Sequence, residues 1–173
     1  MDIQLLALDV DGVLTDGGLH YSSTGEEMKV FNTLDGLGIT ALRNSGIAVA
    51  IITGRASQIV ERRAQELRVD HLHMGCRNKT QALLDICQEK GISLAQVAYM
   101  GDDLNDLGPL SKVGLPLAPA NACADVKERA RFVTQRPGGQ GAVREAVEYI
   151  LKAQNRWDKG LAIYENESYE VGQ

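Results

Sequence analysis

The stretch "LLALDVDGVLTDGG", residues 5 to 18, ends an apolar run in two carboxylates, Asp9 and Asp11, spaced two apart. Ile3, Leu5, Leu6, Ala7 and Leu8 read as a strand covered on both faces, the kind found in parallel sheets. Side chains alternate along a strand, so a strand continuing through position 11 would lean both aspartates to the same side. Two carboxylates brought that close disfavour each other's charge, unless a cation is held between them or one keeps its proton to deliver it. Either outcome is chemical. The plainer alternative is that one Asp caps a turn at Gly12 and the other is solvated.

Outward from this run, apolar strand-like stretches recur at 48–53 and 97–101, and more weakly at 71–74, 114–117 and 132–133. Helical patterns lie between them at 34–44, stopped by Ser45-Gly46, at 57–67, opened by a good N-cap, and at 79–90, stopped by Gly91. Segments 122–130 and 142–155 complete the set. Strands alternating with helices of this length predict an α/β fold, a doubly wound parallel sheet with helices on both faces. Ligands of such sheets bind outside the carboxyl ends of the strands, where strand order reverses. One segment breaks the alternation: 19–21 and 26–31 flank Ser22-Ser23-Thr24-Gly25 and read as a hairpin inserted after the first strand. Residues 1–155 are expected to form one domain, and 156–173, polar, acidic and weakly patterned, a C-terminal tail that is either loosely ordered or packed on the domain.

Composition narrows the function classes. A chain of 173 residues with 44% hydrophobic and 24% charged residues suits a single globular domain. A formal net charge of −5 gives no basic surface for nucleic acid. No apolar run approaches membrane-spanning length, and the opening MDIQLL lacks a signal-peptide pattern, so a cytoplasmic protein is expected. Cys76, Cys87 and Cys123 are too scattered for a disulfide framework or a CxxC metal site.

In a parallel sheet, four segments emerge at one edge: Asp9 and Asp11, the Thr53-Gly54 of "IITGR", Lys79 of "RNKTQALL", and Asp102, Asp103 and Asp106 of "GDDLND". Several carboxylates, one hydroxyl and one ammonium suit Mg²⁺ and a phosphoryl group. Thr53 and the Gly54 amide can donate to phosphate oxygens, while Lys79 offsets negative charge. An aspartate can attack phosphorus to form an aspartyl-phosphate that water then hydrolyses. Asp9 is read as that nucleophile and Asp11 as the acid/base that serves the leaving oxygen and then the water.

"DVDGVLT", "ITGR", Lys79 and "GDDLND", in this order, resemble the four motifs of the haloacid-dehalogenase-like phosphatases. The longer stretches "ALDVDGVLTDG", "IITGRASQIVERRAQEL", "VAYMGDDLND" and "GGQGAVREAVEYIL" extend the resemblance over about residues 3 to 155, toward a capless branch acting on phosphorylated sugar acids. The resemblance implies a phosphatase for an eight-carbon sugar acid, with a nine-carbon acid as the alternative. It implies Mg²⁺ bound by the side chains of Asp9 and Asp102 and the backbone carbonyl of Asp11, with Asp103 and Asp106 orienting metal waters. Thr53, Gly54, Arg55 and Lys79 would hold the phosphoryl group, and Arg63 would meet the sugar acid. Some forty residues between Asp11 and Thr53, and about twenty-five between Thr53 and Lys79, leave no room for a cap domain. The resemblance therefore implies a homotetramer built through the hairpin at 17–31, with neighbours closing the cleft.

Other features have two readings. The glycines of "RPGGQGAVRE" offer amides to an anion, with Gln135, Arg136 or Arg144 nearby, or serve as a flexible lead into a helix. His71 and His73 read as packing residues, and Trp157 and Tyr164 as cover for an apolar surface. A receiver-type phosphoacceptor domain is also doubly wound, but it pairs adjacent acids after its first strand, whereas this chain has D-x-D first and its acidic cluster late. A silent interaction subunit is disfavoured because every group the chemistry requires is present.

Overall fold

The computed structural model describes residues 2–166. Its strands are β1 (Leu5–Leu8), β2 (His20–Ser22), β3 (Gly25–Met28), β4 (Ala48–Ile52), β5 (His71–His73), β6 (Val97–Met100), β7 (Leu115–Ala118) and β8 (Phe132–Val133). Six of them pair in parallel in the order β5-β4-β1-β6-β7-β8, while β2 and β3 form a separate antiparallel hairpin. The helices are α1 (Thr33–Asn44), α2 (Gln58–Glu66), α3 (Lys79–Lys90), α4 (Leu107–Leu110), α5 (Ala124–Arg129), α6 (Ala142–Ala153) and α7 (Trp157–Glu165). From β1 the chain winds to β4 and β5 on one side, then crosses back to β6 on the other. That reversal beside β1 opens a crevice at the carboxyl ends of β1, β4 and β6.

Every residue of β1 is fully buried, because helices cover both faces of the sheet. Leu6 and Leu8 pack with Val49, Ile51 and Met100 against Ile39 and Leu42 of α1 and Val143, Val147 and Ile150 of α6. Leu5 and Ala7 point the other way, with Ile52 and Tyr99, toward Leu83 and Ile86 of α3. Each large apolar side chain so buried contributes roughly 1.5–3 kcal/mol. Helix starts follow local chemistry: the side chains of Asn32, Ser57 and Asn78 accept backbone N–H bonds from Leu34, Val60 and Gln81. Gly91, left-handed at φ 65°, ends α3 where the sequence places the stop.

Two points that the sequence leaves open take definite form in the structure. The first strand does not run through position 11. It ends at Leu8, and the amides of Val13, Leu14 and Thr15 all donate to Val10 O, closing a tight turn. The tail is not loose over 157–165: α7 packs on α1, with Tyr164 Oη donating to Leu37 O at 2.6 Å and Lys159 Nζ to Ser45 O at 3.0 Å. Gly160 lets the two helices approach, since a Cβ there would lie 3.1 Å from Ala41 O. The remainder of the expected tail, 167–173, lies outside the described residues. Trp157 and Tyr164 cover the apolar layer between α1 and α6, as the sequence suggests.

Candidate active site

Asp9 follows β1 directly, on the face of Leu5 and Ala7, and so looks toward the start of α3. Lys79 is the first residue of that helix, held there by the Asn78 cap. Its Nζ lies 2.8 Å from Asp9 Oδ2 and 2.8 Å from Asp106 Oδ1. All three side chains are buried. Asp106 Oδ1 also accepts from Tyr99 Oη at 2.6 Å, and its Oδ2 accepts from the amides of Asp102 at 3.0 Å and Asp103 at 3.4 Å. Asp106 thus ties β6, the 102–106 turn and α3 together. Gly101 makes room for it, because a Cβ there would lie 2.4 Å from Asp106 Cβ.

A cavity of about 260 Å³ opens above this buried group, with Asp9, Asp11, Thr53, Gly54, Arg55, Asp102 and Asp103 in its wall. Thr53 is fixed by its amide, which donates to His73 O at 2.9 Å, and by its carbonyl, which accepts from the Cys76 amide at 3.0 Å. Gly12 lets the first turn approach Asp102: its φ is +89°, and a Cβ would sit 2.0 Å from Asp102 Oδ2.

Charge in this site is unbalanced. Burial, with the nearby Asp106 charge, pushes the Asp9 carboxyl up to about 6, against the pull of Lys79. Burial, then repulsion from Asp9, Asp106 and Asp103, pushes Asp102 up to about 7. Burial works against the charge of Lys79, but Asp9 and Asp106 outweigh it and hold the ammonium above its ordinary value. One buried ammonium faces three carboxylates whose oxygens lie within 4.8 Å of one another, the only such cluster among the described residues. With Asp106 committed to Lys79, Tyr99 and two amides, Asp9 and Asp102 are the pair a divalent cation fits.

Asp11 departs from the strand-based picture. Because the backbone turns after Leu8, its carboxylate is held by Lys29, whose Nζ donates to Oδ1 at 2.6 Å, and is flanked by Arg55, whose Nε lies 3.7 Å from Oδ2. Arg55 Nη1 donates in turn to Tyr21 Oη of the hairpin at 2.8 Å. Lys29 was not legible as a site residue.

Arg63 does not line the cavity. Its guanidinium lies in a niche left by Gly36, over the Phe31 ring at 5.7 Å, with Nη1 3.3 Å from Glu66 Oε2. The glycine-rich segment buttresses the turn that follows β1. Gly138 N donates to Asn121 Oδ1 at 2.6 Å, Asn121 Nδ2 to Gly12 O at 2.9 Å, and Gly139 N to Val13 O at 3.1 Å. A Cβ at Gly138 would strike Gly12 O at 1.9 Å, so close approach explains that glycine. Gln135, Arg136 and Arg144 border a different cavity of about 400 Å³, where Arg144 pairs with Glu148 and Glu145 accepts the amides of Gln135 and Arg136. His71 and His73 are half-buried on β5, away from the Asp9 cavity.

The family model for haloacid dehalogenase-like hydrolases matches residues 74–147. The 3-deoxy-D-manno-octulosonate 8-phosphate phosphatase KdsC of Escherichia coli K12 is 46% identical over 164 residues, which cover 94% of this chain and 87% of that protein. The corresponding enzyme of Yersinia pestis is 43% identical over 94% of this chain and 88% of its own. A crystal structure of the Moraxella catarrhalis phosphatase of the same name, in complex with magnesium, phosphate and Kdo, superposes with a TM-score of 0.89 at 46% identity, covering 94% of this chain and 93% of that one. A cobalt-bound form of the Haemophilus influenzae phosphatase superposes at 0.87 with 40% identity, over 90% of this chain and 91% of that one. No described helix is long and apolar enough to cross a membrane. With nearly half its residues shared over almost its whole length, this chain belongs to the 3-deoxy-D-manno-octulosonate 8-phosphate phosphatase family of haloacid-dehalogenase-like hydrolases.

Proposed function

We propose that this chain is a Mg²⁺-dependent phosphomonoesterase that hydrolyses 3-deoxy-D-manno-octulosonate 8-phosphate to the free sugar acid and phosphate, a step toward lipopolysaccharide. The observation that carries the reading is Asp9: a buried carboxylate held at 2.8 Å by Lys79, in the wall of a cavity that also holds Asp102, Thr53 and Gly54. Asp9 attacks phosphorus and the bond to the sugar C8 oxygen breaks, giving an aspartyl-phosphate. Asp11 gives its proton to that departing oxygen, then takes one from the water that attacks the acyl phosphate. Asp9 is regenerated and phosphate leaves.

Thr53 Oγ1, the Gly54 amide and Arg55 are the donors for the equatorial phosphate oxygens, and Lys79 balances charge beside the nucleophile. Asp9 and Asp102 would hold the cation, because their oxygens lie within 4.8 Å of one another and burial, with neighbouring carboxylate charge, disfavours leaving both ionised without one. Bound there, Mg²⁺ supplies positive charge against the nucleophile and the transferring group.

The cavity stands open beside a hairpin whose Leu19, Tyr21, Met28 and Val30 are exposed by 39%, 61%, 50% and 57%. Apolar side chains so clustered favour a protein contact, and a homotetramer through residues 17–31, with neighbours closing the cleft, fits this chain.

The reading is tested by phosphate release with Mg²⁺ from 3-deoxy-D-manno-octulosonate 8-phosphate, nine-carbon sugar-acid 9-phosphates and common hexose phosphates. A strong preference for the eight-carbon acid is expected. Preference for a nine-carbon acid would keep the mechanism and overturn the substrate. Asp9→Asn, whose amide cannot attack phosphorus, should abolish turnover with an unchanged melting profile; retained turnover would remove Asp9 as nucleophile.

A further inference from the structure

The arm that leaves β3 inverts the usual surface pattern. Met28 and Val30 are half exposed, while Lys29 between them turns inward with its side chain 1% exposed. Burying an ammonium requires an anionic partner to offset lost hydration. Asp11 is such a partner, with Nζ 2.6 Å from Oδ1 across eighteen positions of sequence. The other arm reaches the same carboxylate through Tyr21 and Arg55. The backbone under Asp11 is already fixed by the three amides that donate to Val10 O. What remains adjustable is the Asp11 rotamer.

We propose that Lys29 is a positioning residue, through which the hairpin sets the orientation of the Asp11 carboxylate for proton transfer. The proposal rests on the assignment of Asp11 as acid/base. Lys29 itself neither gives nor takes a proton. It holds Oδ1, and Oδ2, with Arg55 at 3.7 Å, is the oxygen that passes the proton to the departing sugar oxygen and later accepts one from water. A carboxylate left to rotate at an open site would reach the leaving oxygen less often, so the cost falls on the proton-transfer step.

The test uses the full chain with Mg²⁺ and compares kcat/KM for the sugar phosphate with that for p-nitrophenyl phosphate, whose leaving group departs without a proton. Lys29→Met should lower the sugar-phosphate value by about tenfold or more relative to the aryl-phosphate value. Lys29→Arg should regain most of the loss. In an Asp11→Asn background, Lys29→Met should cost nothing further on the sugar phosphate. An equal loss on both substrates, or a full additional loss in the Asp11→Asn background, would overturn the proposal. Asp11→Asn alone separates the two levels. If it shows no leaving-group bias, the acid/base assignment fails and the proposal with it. If it shows the bias and Lys29→Met does not, only the role of Lys29 fails. Should Lys29→Met not fold, Lys29→Gln is read by the same ratio.

Discussion

Lys79 Nζ stands equidistant, at 2.8 Å, from Asp9 Oδ2 and Asp106 Oδ1. One ammonium thus bridges the carboxylate proposed to attack phosphorus and a fully buried one that never meets solvent. The bridge orients Asp9, and Asp106 keeps Lys79 from being drawn away, because Tyr99 and two amides hold Asp106 in turn.

Lys79→Met should therefore do two things at once. Turnover should fall by about 10²–10³, the usual scale for losing one electrostatic contact to a developing charge. Stability should fall by about 3–5 kcal/mol near neutral pH, because two buried carboxylates lose their partner. Steady-state kinetics and urea unfolding measure the two effects, and a fully stable, inactive variant would show that Asp106 does not depend on Lys79.

Without metal, the site should destabilise the fold as pH rises. Asp9 at about 6 and Asp102 at about 7 both lie above the ordinary 3.8, so the native state holds these protons more tightly than the unfolded chain does. Their contribution is full below about pH 4 and is lost as pH passes through 6 to 7. Glu66, held low by hydrogen bonds from Arg62 and Arg63, acts in the opposite sense but only below its ordinary 4.5. The melting temperature in EDTA should thus decline from pH 5 to pH 8, and Mg²⁺ should restore it most at the upper end. At a hundred times its Kd the cation adds about 2.7 kcal/mol. A profile flat over this range, with no effect of Mg²⁺, would count against a cation between Asp9 and Asp102.

Gly12→Ala should impair metal use more than folding. Its Cβ would fall 2.0 Å from Asp102 Oδ2 at a φ of +89°, so either the turn or Asp102 must move. The Mg²⁺ concentration for half-maximal activity should rise. An unaltered titration would mean that Asp102 relaxes without cost.

Replacing Met28 and Val30 together by serine should lower the particle mass in light scattering and reduce activity on the sugar phosphate. An unchanged mass would remove the hairpin as the assembly surface.

Much of this architecture is local in origin and so was legible in sequence. The unbroken apolar run Leu5–Leu8 demands cover on two faces, which only a sandwiched parallel strand provides. Gly91 ends α3 because capping is decided within a turn of the residue itself. The strand ends carrying Asp9, Thr53 and Asp102 meet because parallel topology brings them to one edge. What the tertiary structure decided depends on partners far along the chain. The turn after Leu8 sends Asp11 toward Lys29, and nothing local marks an inward lysine between two exposed apolar residues. Helix α7 forms where pattern was weak because Leu37, Ser45 and Ala41 receive it. Gly138 is required by the carbonyl of Gly12, over a hundred positions away. Local propensity wrote the elements and their edges; the orientation of each charge was settled only when burial forced it to find a distant counter-charge or donor.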